Sequence, residues 1–152
     1  MRNYPLAQVS LHGLIEQAVD RYPDHVALVV GDQQLSYRQL DEMANRMAHF
    51  LIAQGVGAEQ LVPIMLERSF EMVIAINAVL KAGAGYLPLD PEHSADRIEY
   101  IVHEAGAKWV LTTQAFVAKL PADVQCLTME AAPERLAHLP VSRPDIKVAP
   151  EH

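Results

Sequence analysis

A layered α/β fold built on a parallel sheet is what the sequence predicts, on three observations. Strand-like and helix-like segments alternate from Leu61 to Thr112, the order that parallel crossovers require. Leu61 to Leu66 is a short apolar run between Gln60 and Glu67, as suits a strand buried on both faces. The stretch from Phe70 to Ala82 is hydrophobic nearly all round, with Met72, Val73, Ile74, Ala75, Ile76, Ala78, Val79 and Leu80, so it must be packed on most sides.

The elements follow in order. After Ser10, the residues Leu11, Leu14, Ile15, Ala18 and Tyr22 fall at helical spacing and Pro23 stops the run, which predicts an amphipathic helix over about 11–21. Val26 to Val30 is a strand rich in β-branched residues, Gly31-Asp32 offers a two-residue turn, and Gln33 to Ser36 returns as the second strand of a short hairpin. Ser36 and Gln39 stand at capping-box spacing, each side chain able to satisfy a free backbone N–H at a helix start. The helix they open carries Tyr37, Leu40, Ala44, Met47 and Leu51 on one stripe, flanked by Met43 and Phe50. Asp41, Glu42, Asn45, Arg46 and Gln54 are expected to face away from it, and Gly55 and Gly57 to close the helix.

Ser69 caps the apolar helix, and Gly83 ends it. Gly85 to Leu89 is a strand, Pro91 a break, and 95–105 a helix with Ile98, Ile101 and Val102 on one face, stopped by Gly106. Lys108 to Thr112 is a strand, Gln114 to Lys119 a short helix, and Val124 to Leu127 the last strand. Beyond Thr128 the periodicity fades. Pro133, Pro140, Pro144 and Pro150 divide a tail that lies over the surface or acts as a connector.

Composition bounds the function. The 152 residues suffice for one domain with one core. At 51% hydrophobic and 20% charged, the chain has the balance of a folded globular protein. Its net charge of −7, with no run of Lys or Arg longer than a pair, argues against nucleic acid or an anionic membrane as partner. No stretch approaches the roughly 20 apolar residues of a membrane helix, and Met1 to Ser10 carries one Arg and no continuous apolar run, so a cytoplasmic location is expected. Cys126 is the only cysteine; with no neighbouring base or cation it reads as a strand residue and not a reactive thiolate.

Local chemistry yields no site. Gly83 and Gly85 follow a helix, where a dinucleotide fingerprint would follow a strand and open one, and no Gly-x-x-x-x-Gly-Lys loop exists. His12, His25, His49, His93, His103, His138 and His152 are scattered without metal-ligand spacing. Asp90, Glu92 and Asp96 cluster at a helix start, where the dipole favours negative charge without any magnesium. Ser36, Ser69 and Ser94 each precede a helix and are accounted for as caps.

Two stretches carry more. Leu35-Ser36-Tyr37-Arg38-Gln39-Leu40 resembles the first core motif of the adenylation domains of nonribosomal peptide synthetases. Leu80-Lys81-Ala82-Gly83-Ala84-Gly85-Tyr86-Leu87-Pro88-Leu89-Asp90-Pro91 resembles the second, about forty residues later as in that family. The helix before Pro23 and the segment from Arg97-Ile98 through Leu111-Thr112 look like their counterparts too, so the resemblance runs from about Ser10 to His152. Gln39 stands where the family usually has Glu, which keeps the capping box. Gly85 stands where it usually has Ala, at a cost of about 0.5–1 kcal/mol in backbone freedom. The Leu-Pro-Leu-Asp-Pro ending favours amino-acid-activating members over acyl-CoA synthetases and luciferases.

The resemblance implies a leader over 1–10, part of the large N-terminal subdomain of an adenylate-forming enzyme over 11–128, and a Pro-containing tail over 129–152 that leads towards the family's phosphate loop. A full-length member joins an amino acid to ATP with magnesium, giving aminoacyl adenylate and pyrophosphate, and passes the acyl group to the phosphopantetheine thiol of a carrier domain. Its phosphate loop, ribose- and magnesium-binding acids, amino-acid pocket and late lysine have no counterpart in this sequence. No catalytic, cofactor-binding or metal residue is therefore assigned, and ATP and magnesium belong to the full-length enzyme alone. Two roles stay open: a piece of a larger activating enzyme, inactive by itself and partnered by the rest of that domain and a carrier domain, or a non-catalytic half that docks on a synthetase partner. A small independent nucleotide-binding protein would need a phosphate device that the sequence lacks.

Overall fold

The computed structural model describes residues 11–67 and 69–145. The leader expected over 1–10 and the last residues of the tail, 146–152, lie outside the described residues. The elements in chain order are α1 (Leu11–Arg21), β1 (Val26–Val30), β2 (Gln33–Ser36), α2 (Tyr37–Ala53), β3 (Leu61–Met65), α3 (Phe70–Lys81), β4 (Gly85–Pro88), α4 (Ala95–Glu104), β5 (Trp109–Thr112), a 3-10 helix (Gln114–Lys119), β6 (Gln125–Thr128) and α5 (Ala132–Arg135). The alternation read from the sequence is present, with small shifts at element ends.

Strands β1 and β2 form an antiparallel hairpin that turns at Gly31, whose φ of +58° is open to glycine at no steric cost. The other four strands form one parallel sheet in the order β4-β3-β5-β6. Burial sorts their side chains by the two-residue period of a strand. Val62, Ile64, Trp109, Leu111 and Leu127 share one core with α2 and α3, while Met65 and Val110 share a second with Leu89 and, from α4, Ile98 and Val102. Helices thus cover both faces, and β3 is buried from Val62 to Met65. Pro63 sits in this central strand although it has no N–H to give the ladder. The register explains how: β5 pairs with β3 only at Ile64 and Met65, so Pro63 faces β4 alone, opposite Leu87.

Three serines start three helices as expected. At α2 the capping box is complete: the Ser36 hydroxyl accepts from the Gln39 N–H at 3.1 Å, and the Gln39 side-chain oxygen accepts from the Ser36 N–H at 2.9 Å. Ser69 accepts from the Met72 N–H and Ser94 from the Arg97 N–H. Gly55, Gly83 and Gly106 end α2, α3 and α4 with φ of 87°, 85° and 64°.

Asp41 and Asn45 on α2 correct the sequence reading. Both were expected to face away from the core, and they are buried, at 6% and 1% exposure. The physical reason is that this side of α2 is covered in turn by α1, by Lys81 of α3 and by the chain after α5, which together supply polar partners. The tail also holds a helix that its fading periodicity did not predict. In α5, Pro133 lies in the first turn, where its missing N–H costs nothing. Ala132 and the following Leu136 join the main core. Arg135 lies over the Phe50 ring at 5.1 Å, and Phe50 meets Trp109 edge-to-face at 5.1 Å, which ties α5 to α2 and β5.

On the other face, the His103 imidazole of α4 is within 3.0 Å of both Asp123 carboxylate oxygens. That hydrogen bond raises the His103 pKa from its ordinary 6.5 and lowers that of Asp123. A raised histidine pKa means stabilisation that is fully present below pH 6.5 and lost as pH rises through the folded-state value. Both groups are exposed, so the effect belongs to this contact and not to the core.

Two outcomes follow. Ser36→Ala should lower stability by about 1 kcal/mol in urea denaturation, since it strips the hydroxyl that the Gln39 N–H bonds at the start of α2; an unchanged midpoint would contradict the capping geometry. Asp123→Asn should return the NMR-titrated His103 pKa towards 6.5, and a titration curve that does not move would show that the contact is not made in solution.

Candidate functional site

Two features on the α2–α3 side of the sheet concentrate the chemistry of the molecule. The first is a buried charge cluster. Lys81, at the last turn of α3, has a side chain only 1% exposed. An ammonium so placed must be paired, because desolvation of a lone charge costs several kcal/mol. Its Nζ donates to Glu16 of α1 and lies 2.8 Å from Asp41 Oδ1 of α2, the latter an ion pair without the direction of a good hydrogen bond. Arg143 closes the cluster from the far end of the chain. Its Nη2 donates to Asp20 Oδ1 at 2.9 Å and to the Glu16 carbonyl at 3.1 Å, and its Nε lies 3.6 Å from both Glu16 Oε2 and Asp41 Oδ2. Burial opposes the charge on Arg143, yet the bond to Asp20 and the Asp41 and Glu16 carboxylates outweigh it, so its pKa is raised. Two cations and three carboxylates from four segments thus offset one another to a net −1.

Asn45 continues the cluster along α2. Its Nδ2 donates to Asp41 Oδ2 at 3.3 Å and to the Val141 carbonyl at 2.7 Å. One turn before Lys81, Asn77 is 1% exposed and neither its nitrogen nor its oxygen meets a protein partner. The second feature is an open apolar groove of about 370 Å³ between α2, α3 and α5, lined by Leu35, Met47, Phe70, Ile74, Met129 and Leu136, with Arg46 and Glu71 also on its walls.

The cluster gives the twelve-residue stretch Leu80–Pro91 a physical reading. Lys81 anchors three helices, Ala82 is fully buried, and Gly83 takes the left-handed turn that Ala or Lys would resist. At Gly85 a Cβ would come within 3.0 Å of the Leu61 side chain, whose flexible, part-exposed end can give way, so the alanine that the resemblance makes usual is tolerable there. Pro88 lies on an edge strand, where no donor is missed. Leu89 enters the second core, and Asp90 Oδ1 accepts from the Glu92 N–H to turn the chain towards α4. Lys119 reaches back to the Pro91 and His93 carbonyls and fixes that turn.

No catalytic or ligand residue was assigned from sequence. Of the acidic trio, Asp90 and Glu92 share the turn and Asp96 lies in the first turn of α4. Three of the histidines have separate partners: His25 stacks on Tyr22, His49 meets the Ser142 carbonyl, and His103 meets Asp123. Among the described residues no three His, Cys, Asp or Glu side chains are grouped to hold a metal ion. No helix among them is long and apolar enough to cross a membrane. What sequence reasoning missed is the Glu16, Asp41, Lys81, Arg143 cluster. The signal that points to it is a lysine on the buried side of an otherwise apolar helix.

Residues 15–150 match the family model described as AMP-binding enzyme. The phosphinothricin tripeptide synthetase PhsC of Streptomyces viridochromogenes is 43% identical over 145 residues, which are 93% of this chain and 13% of that protein. Tyrocidine synthase 2 of Brevibacillus parabrevis is 45% identical over 127 residues, 84% of this chain and 4% of the relative. The chain therefore spans a small part of the length of the relatives it matches. Among solved structures, the nonribosomal peptide synthetase FmoA3 in its alpha-methyl-L-serine-AMP bound form superposes with a TM-score of 0.82 at 28% identity, over 93% of this chain and 16% of that one. The four-stranded parallel sheet, the motifs on α2 and β4 and these matches agree: the chain belongs to the AMP-binding enzyme family and is similar to the N-terminal part of nonribosomal peptide synthetase adenylation domains.

Proposed function

We propose that this chain is a structural share of an amino-acid-activating adenylation domain. The domain as a whole joins an amino acid to ATP, releases pyrophosphate, and passes the aminoacyl group to the phosphopantetheine thiol of a carrier domain. The 152 residues contribute the scaffold of its first parallel strands and do not catalyse by themselves.

The observation that carries this reading is apolar surface left open beside a well-formed core. The groove between α2, α3 and α5 is one such surface. The hairpin is another: Val26, Val29 and Val30 are 48%, 61% and 45% exposed, and a β-branched strand exposed in this way is normally covered. Edge strands β4 and β6 each leave one side of the sheet unpaired within the described residues. A non-catalytic half that docks on a synthetase partner would need the apolar girth of α3 to be covered from outside. Most of that girth is covered inside the chain, where α2, β3 and β4 pack against it, so the scaffold reading is preferred.

The described residues do not fit ATP or magnesium. No metal-holding group of side chains occurs among them, and the starts of α3 and α4 are engaged by their own serines, Ser69 and Ser94. No step of the reaction is assigned to this chain's residues. Their part is to position the strands and helices against which the remainder of the domain folds.

Calorimetric titration of the 152-residue chain with ATP and magnesium should therefore give no heat of binding. Pyrophosphate exchange with each proteinogenic amino acid should stay at background, and a hydrophobic dye should bind and fluoresce. Saturable micromolar ATP binding, or exchange above background, would contradict the scaffold reading.

A further inference from the structure

The charge cluster joins two segments at opposite ends of the described chain. Helix α1 has thin apolar anchorage: none of its described side chains is fully buried, and of these Ile15 is the one packed on the main core. An 11-residue helix is marginal alone, so its place depends on what holds it. Glu16 and Asp20 do so, through Lys81 and Arg143.

Residues 139–143 form a strap across α2. Three successive polar side chains on one side of that helix hold its carbonyls: Arg46 donates to Leu139 at 3.3 Å, Asn45 to Val141 at 2.7 Å, and His49 Nε2 meets Ser142 at 2.8 Å. The strap then delivers Arg143 to α1, across 123 residues of sequence to Asp20.

We propose that α1 and the 139–143 strap dock as one cooperative unit, with the Lys81-seated charge cluster as the latch, so that loosening either segment loosens the other. With both seated, two cations meet three carboxylates and the cluster sums to −1. If the strap lifts, Arg143 leaves, the cluster falls to −2, Asp20 loses its cation and Glu16 keeps Lys81 alone, so α1 is held by one pair where it had been held by several. If α1 lifts, Lys81 keeps Asp41 alone and Arg143 keeps only its 3.6 Å contact with Asp41. Each departure thus removes attraction from the segment that remains. This latch goes beyond the scaffold reading above and does not depend on it.

The test uses the ¹⁵N-labelled full chain. His49→Ala removes a strap contact without touching the cluster, and Arg143→Gln removes the latch. Both should speed amide exchange in α1 about two- to fivefold, the size of a partly exposed ion pair, while α4 amides keep their rates. Asp20→Asn should in turn raise the fast motion of the Val141, Ser142 and Arg143 amides seen in heteronuclear NOEs. Should a variant unfold the whole chain, α4 would exchange too, and a salt series on the unmodified chain decides. Raising salt from about 0.05 to 1 M shortens the screening length to about 3 Å, and α1 exchange and strap motion should rise together. Strap motion that rises with α1 exchange unchanged, or α1 exchange that ignores both His49→Ala and Arg143→Gln, would overturn the latch.

Discussion

Lys81 places a full charge inside the molecule; Glu16 and Asp41 neutralise it, and Arg143 in turn offsets the carboxylates gathered there, which joins four chain segments. Truncating one partner of a buried ion pair costs about 3–5 kcal/mol, because the other charge is left unpaired. A helix cap or an edge-to-face ring pair contributes roughly 1 kcal/mol. Lys81 must therefore keep its carboxylate partners, which seats Glu16 of α1 beside it, while the partly exposed Arg143 holds the strap with the roughly 1 kcal/mol or less of a surface pair. The apolar core sets the sheet and its two helical layers. The buried lysine decides what lies over α2 and α3, and its pairing brings Glu16, Asp41 and Arg143 together from sequence positions far apart.

That separation marks the limit of what the sequence discloses. Caps were legible because Ser36, Ser69 and Ser94 act on N–H groups three residues on, within the window in which a pattern is read. The parallel sheet was legible because β3 and α3 are apolar in ways few other placements permit. Asp41 and Asn45 were not: on a helical wheel they belong with Glu42 and Arg46, and only tertiary partners 40 to 96 residues away distinguish them. The same holds for α5, whose burial rests on Ala132, Leu136 and an arginine lying on Phe50, too few contacts to leave a period. Pro63 is a milder case, because the rule that excludes proline from central strands assumes a full ladder on both sides, and β5 begins its pairing one residue later.

Function was legible through resemblance, and its physical content appeared only with the structure. In the motif from Leu80 to Pro91, each residue with an identified role packs, turns or pairs. Its lysine is the clearest example, since a lysine in a motif invites a catalytic reading and this one is sealed between two carboxylates. A scaffold of this kind explains how a chain with a sound core can carry open apolar surface and yet no assembled site among its described residues.

The intact mass of the native polypeptide that carries this sequence, purified from its source, tests the account most directly. A mass well beyond 16.8 kDa, in a polypeptide that catalyses amino-acid-dependent pyrophosphate exchange, is the predicted result. A native polypeptide of 16.8 kDa that stays monomeric and binds no hydrophobic dye would contradict it.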